Sequence, residues 1–171
     1  MPKWLYTQLE KGPRVIRQQC IGRDGILVQQ EMMENETAGI VPVLAQLIEN
    51  EESIKEAWLC HPGVRHVGKE IDKEGGFCGY RNIQMLMTYI SSAKAQGHQK
   101  LGSRTPRILT LQDWIEDAWD KDCYSIGRDQ TGGIKGTRKY IGTPEVRSSS
   151  REYLSLIVWL IMHRRTLFSH P

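Results

Sequence analysis

At 171 residues, with 39% hydrophobic and 25% charged side chains, the chain has the composition of an ordinary globular protein, long enough to bury a core without disulfide staples. Its net charge of +3, with no dense cluster of Lys and Arg among aromatics, argues against a nucleic-acid partner. The longest apolar run, Tyr153 to Met162, falls far short of the roughly 20 residues a membrane span needs, so no membrane partner is expected either.

The first residues, "MPKWLYTQLEKGPR", hold no apolar h-region and no small-residue cleavage site, which predicts an intracellular protein, cytoplasmic or nuclear. Cys20, Cys60, Cys78 and Cys123 lie far apart without a CxxC pair, so they are expected as thiols. A turn at Arg23 to Gly25 leads into a strand within "ILVQQEM". In "TAGIVPVLAQLIEN", Val41, Leu44, Leu47 and Ile48 recur at helical spacing, with Thr37 as a possible cap and Pro42 tolerable in a first turn. This predicts a helix covering the core. "EAWLCH" is compatible with a short buried strand.

"CHPGVRH" gathers Cys60, His61 and His66 ahead of Cys78. Adjacent Cys60 and His61 are poorly placed to share one ion and the spacing fits no usual zinc finger, so no metal and no cofactor is expected.

"EGGFCGYRNIQMLMTYI" places Cys78 where glycines give way to a helical pattern. The orphan N–H groups and dipole of a helix start favour negative charge there, and the thiolate is the nucleophilic form of cysteine. Gly75, Gly76 and Gly79 would leave the backbone bare enough for a substrate chain, and the same N–H groups would hold an oxyanion. The other reading of this local pattern is a small buried hydrophobe beside a tight turn. Beyond it, Ile83, Met85, Leu86, Met87, Tyr89 and Ile90 are apolar on most faces, predicting a nearly surrounded helix that ends near Gly97.

In "LQDWIEDAWDKD", Leu111, Trp114, Ile115, Ala118 and Trp119 form an apolar stripe, while Asp113, Glu116, Asp117 and Asp120 are expected to face away. "TGGIKGTRK" lacks the GxxxxGK[ST] order of a phosphate loop and reads as a turn feeding a strand. In "TPEV", Thr143 can cap a helix and Pro144 can occupy its first position.

"DKEGGFCGYRNIQML", "LQDWIEDAWDKD" and "GTRKYIGTPEV", in that order, resemble the papain-like peptidases that act on ubiquitin-fold modifier, especially their zinc-finger relatives and fungal homologues that cut polyubiquitin. "ENETAGIVPVLAQL" and "LCHPGVRHV" are similar to the fungal branch. The resemblance implies an α+β, papain-like fold with a helical lobe around a central nucleophile helix. It implies Cys78 as nucleophile, His66, twelve residues earlier, as an oxyanion-hole residue, and Gly76, Phe77, Gly79 and Tyr80 at the substrate. Where many members have Gly-Trp-Gly before the cysteine, this chain has Gly75, Gly76 and Phe77, which is expected to alter the wall of the cleft.

The resemblance covers residues 1–146 as the N-terminal part of such a domain, whereas 147–171 does not resemble the family's continuation. His163 and His170 are the only downstream histidines and no Asp follows Asp129. The expectation is an incomplete fold lacking the second half of the sheet, and a thiol peptidase of the ubiquitin or ubiquitin-fold-modifier class with reduced or no activity as this chain. The alternative is a non-catalytic module that binds such modifiers through surfaces including the acidic helix.

Overall fold

The computed structural model describes residues 1–21, 25–72, 74–95, 98–102, 104–121 and 126–142. In chain order these form helix α1 (Lys3–Lys11), strands β1 (Val15–Ile21), β2 (Leu27–Met33) and β3 (Glu36–Thr37), helix α2 (Ile40–Glu49), strand β4 (His66–Val67), and helices α3 (Cys78–Ser92), α4 (Ile108–Asp120) and α5 (Ile126–Thr131). The architecture mixes helices with two small antiparallel sheets, β1–β2 and β3–β4. Thr143, the "TPEV" segment and the Tyr153 to Met162 run lie outside the described residues.

The core sits where α1, α3 and α4 meet. Leu5 and Leu9 of α1 pack with Tyr80, Ile83, Met87 and Ile90 of α3, with Ile108, Leu111, Ile115 and Trp119 of α4, and with Phe77, Leu101, Ile134 and Ile141. On α3 and α4 these positions recur three and four residues apart, so each helix offers one apolar stripe to the others. The predicted central helix therefore forms, but it carries a second buried face that is polar: Arg81, Gln84 and Thr88 are all buried. It also stops before Gly97. Lys94 takes φ 49, and the N–H groups of Ala95 and Lys94 donate to the carbonyls of Ile90 (3.0 Å) and Ser91 (3.4 Å). That double bond pattern closes a helix around a left-handed residue and leaves nowhere for another turn.

Four expectations about single elements are corrected. α2 forms, with Pro42 in its first turn, yet among its residues only Val41 is buried, while Val43, Leu44 and Leu47 are exposed. A helix that is apolar nearly all round gives no signal of which face has a partner. Thr37 does not cap it: Thr37 pairs with His66 in the β3–β4 ladder, and Gly39, at φ 77, precedes the helix. "EAWLCH" is irregular, with Trp58 75% exposed, because none of the described strands offers it a ladder. Finally, 126–131 is helix α5 and the described residues 132–142 contain no strand.

Candidate active site

Cys78 is the first residue of α3 and its side chain is exposed. Phe77 precedes it with φ −98 and ψ 13 and supplies no side-chain cap, so among the described residues the N–H groups of Cys78 and Gly79 keep the orphan character that suits an anion. Gly75, at φ +90, turns the chain into this start, a conformation that side chains rarely adopt. An exposed thiol at a helix N-terminus has the geometry of a nucleophile. Among the described residues no hydrogen bond reaches its sulfur.

The turn is anchored from below by ion pairs that the sequence did not advertise. Glu74, four residues before Cys78, is 1% exposed, and Arg81, three residues after it, is 5% exposed. Arg81 Nε donates to Glu74 Oε1 at 3.0 Å and Nη2 donates to both Glu74 oxygens at 2.9 Å. Arg81 Nη2 also donates to Glu70 Oε1 (2.9 Å), and Nη1 donates to Gln84 Oε1 (2.9 Å), whose amide donates to Pro106 O (2.7 Å). Glu74 Oε2 accepts the Glu70 backbone N–H at 2.7 Å. Glu70 and Glu74 are thus tied to the first two turns of α3 through charge-assisted bonds shielded from water. Glu70 is the strained member. Burial pushes its carboxyl above the ordinary range despite the bond and attraction of Arg81, and among the described residues its Oε2 has no hydrogen-bond partner.

From above, residues 138–141 lie across the turn. A Cβ on Gly79 would stand 2.6 Å from the Ile141 carbonyl oxygen, a Cβ on Gly76 2.6 Å from the Tyr140 ring, and a Cβ on Gly75 would overlap the Arg138 guanidinium. The three glycines therefore admit the protein's own chain rather than leaving open backbone. Tyr140 keeps 70% of its surface exposed and so walls the ground beside Cys78.

α4 fixes that crossing segment. Gln112, fully buried, accepts the Gly136 N–H (3.0 Å) and donates to Thr137 O (3.1 Å). Glu116 accepts the N–H groups of Ile134 (2.6 Å) and Lys135 (2.7 Å), and Arg128 Nη2 donates to its second oxygen (3.2 Å). Glu116 thus does not face away as its place in the acidic pattern suggested. Burial would raise its carboxyl, but the two backbone N–H groups and the cations Arg128 and Lys135 outweigh it and hold the group below the usual range.

The remaining predicted residues are placed differently. Phe77 and Tyr80 are fully buried and meet edge-on at 5.7 Å, so they support the turn from beneath, and the Phe77 position builds core rather than cleft wall. His66 is exposed on β4. The N–H of its neighbour Arg65 donates to Thr88 Oγ1 (3.0 Å), ten residues and about 15 Å along α3 from Cys78. No hydrogen bond joins His66 to the nucleophile turn among the described residues. His61 Nδ1 accepts the Gly63 N–H (3.0 Å) and its ring meets Tyr89 edge-on at 5.4 Å. Among the described residues no three His, Cys, Asp or Glu side chains gather as a metal would require, and no helix is long and apolar enough to cross a membrane. Glu70, Glu74, Arg81, Gln112, Arg138 and Tyr140 escaped the sequence reading. The i, i+4 spacing of Gln112 and Glu116 beside an apolar stripe was the one usable signal.

The sequence pattern of Peptidase family C78 matches residues 53–166. The chain is also similar to curated proteins called zinc finger-containing ubiquitin peptidase 1. It is 31% identical to those of Bos taurus and Homo sapiens and 30% identical to that of Mus musculus, in each case over 115 residues. That is 66% of this chain but 20% of each relative, so the chain spans about a fifth of their length.

Two measurements check the site's packing. Gly79→Ala meets a backbone carbonyl, whereas Gly76→Ala meets a ring that is free to swing outward. Gly79→Ala is expected to cost about 1–3 kcal/mol and Gly76→Ala clearly less, read from melting temperatures; equal losses contradict the crossing of 138–141. The carboxyls of Glu70 and Glu116 shift oppositely, so their pH dependences have opposite sign. With its folded value raised, Glu70 lowers stability as pH rises from its unfolded value through its folded one, and the melting temperature of Glu70→Gln relative to wild type should climb between pH 4 and 7. With its folded value lowered, Glu116 contributes stability above its unfolded value that is lost as pH falls through the folded one. Glu116→Gln should therefore trail wild type at pH 7 and converge with it in acid.

Proposed function

This chain belongs to Peptidase family C78, and on that footing we propose that it carries the nucleophile half of a cysteine peptidase acting on ubiquitin-like conjugates. The observation that supports this reading is the exposed Cys78 thiol at the open N-terminus of α3, held on a turn pinned from both sides. In the proposed reaction the Cys78 thiolate attacks the carbonyl carbon at the C-terminus of a ubiquitin-like modifier. The carbonyl electron pair moves onto oxygen, where the backbone N–H of Cys78 meets it, and collapse expels the amine, which takes up a proton. Water then hydrolyses the thioester and regenerates the thiol.

In this proposal the exposed face of Tyr140, with Arg138 beside it, lines one side of the path to the sulfur, and the modifier's tail runs along it. In the same proposal His66 serves as a second oxyanion donor, which requires β4 itself to shift toward the turn on substrate binding, because the reach of one ring does not span its separation from Cys78. The general base is assigned to no described residue. The cytoplasm or nucleus, where a reduced thiol persists, is the proposed place of action.

The test is labelling with ubiquitin and ubiquitin-fold-modifier probes that end in a C-terminal electrophile. A covalent adduct is expected that disappears in Cys78→Ala and weakens in Tyr140→Ala. Saturable binding of the unmodified modifier with no adduct would instead favour the non-catalytic module, and neither adduct nor binding would overturn both readings.

A further inference from the structure

The β1–β2 ribbon is poorly covered along most of its length. Its ladder runs without a bulge from Val15 opposite Met33 to Ile21 opposite Leu27. Of the ribbon side chains described, Met32 alone is buried, while Val15, Ile16 and Leu27 are exposed. A two-stranded hairpin with so little packing is marginal in water, and a third strand is the usual remedy.

The pairing pattern says which edge lacks one. The Glu34 N–H donates to Arg14 O (2.8 Å), so the alternation of an antiparallel ladder turns the N–H and C=O groups of Val15, Arg17 and Gln19 outward. On the β2 side the neighbouring ground is occupied. The Met33 N–H donates to Glu36 Oε2 (3.5 Å), Arg104 reaches Glu31 (3.4 Å), and Thr105 bonds Glu36 (2.6 Å). The outer edge of β1 has no such cover among the described residues. It also lacks the usual guards against pairing: "VIRQQCI" contains no Pro and no Lys, and the charge of Arg17 is met across the ladder by Glu31 at 3.2 Å.

We propose that β1 is a dimer seam, pairing antiparallel with β1 of a second copy of this chain to give a four-stranded sheet. The sequence is complementary to itself in that arrangement. A two-fold axis through Gln18 overlaps the whole of Val15–Ile21, sets Arg17 opposite Gln19, and brings no charged residue opposite itself. Gln18, exposed in the single chain, is the residue that meets its own copy.

Light scattering coupled to size exclusion on the full chain tests this. Wild type is expected to pass, with rising sub-millimolar concentration, toward twice the 19.6 kDa of one chain. Gln18→Lys and Gln18→Glu each place like charges on the axis and should weaken association on the order of tenfold with unchanged circular dichroism, and an equimolar mixture of the two should restore it. Gln19→Pro, which deletes one outward N–H without touching the internal ladder, should abolish it. Strictly monomeric wild type, a dimer indifferent to these three changes, or open-ended assembly beyond the dimer would each overturn the proposal.

Discussion

The pairing of Arg81 with Glu74 is the constraint on which the rest of the site depends. Taking both charges out of water costs several kcal/mol per ion, and the attraction recovers that only with close geometry and satisfied neighbours. Here Arg81 reaches both oxygens of Glu74 at 2.9 Å, and Gln84 and the Glu70 backbone take up the remaining valences. The two residues stand on either side of Cys78 in the chain, so the pair sets where α3 begins and which way its first residue points. The stiffness of the nucleophile turn is stored in polar contacts beneath it, while its upper surface stays open at the sulfur.

α4 extends the same logic upward. Gln112 and Glu116, one helical turn apart, take the backbone groups of residues 134–137 that a loop running against a core would otherwise leave unpaired. Because those groups are fixed, the next four residues come down on Gly75, Gly76 and Gly79 in one register. The glycines, the two buried polar side chains of α4 and the exposed Tyr140 are therefore parts of one assembly around Cys78. A change in α4 far from the sulfur is transmitted to the wall beside it.

Much of this frame was legible in the residues. Helix α3 starting at the cysteine, the apolar stripe of α4 and strand β2 follow from periodicity and glycine punctuation, since each has a partner along that one stripe or edge. The family resemblance rested on ordered motifs, which packing does not disguise. What escaped depended on contacts distant in sequence. Glu116 shares the pattern of the solvated acids around it, and only the returning loop makes it an acceptor. Phe77 and Tyr80 flank the nucleophile in sequence but point into the core, because the first turn of a helix sends adjacent residues to different sides. The glycines advertised space without saying what fills it. α2, apolar nearly all round, announced a helix but not its buried side.

The double-mutant cycle of Glu74→Gln and Arg81→Met, read by thermal stability together with the alkylation rate of Cys78, tests the anchoring of the turn most directly. Arg81→Met is expected to cost about 3–5 kcal/mol, because it strands both buried carboxylates, and Glu74→Gln less, because Arg81 keeps Glu70 at 2.9 Å, while the double variant should show a favourable coupling of about 1–3 kcal/mol. Alkylation of Cys78 should change most in the single variants. Additive losses, with the reactivity of Cys78 unaltered in all three variants, would show that the turn is held by something other than this pair.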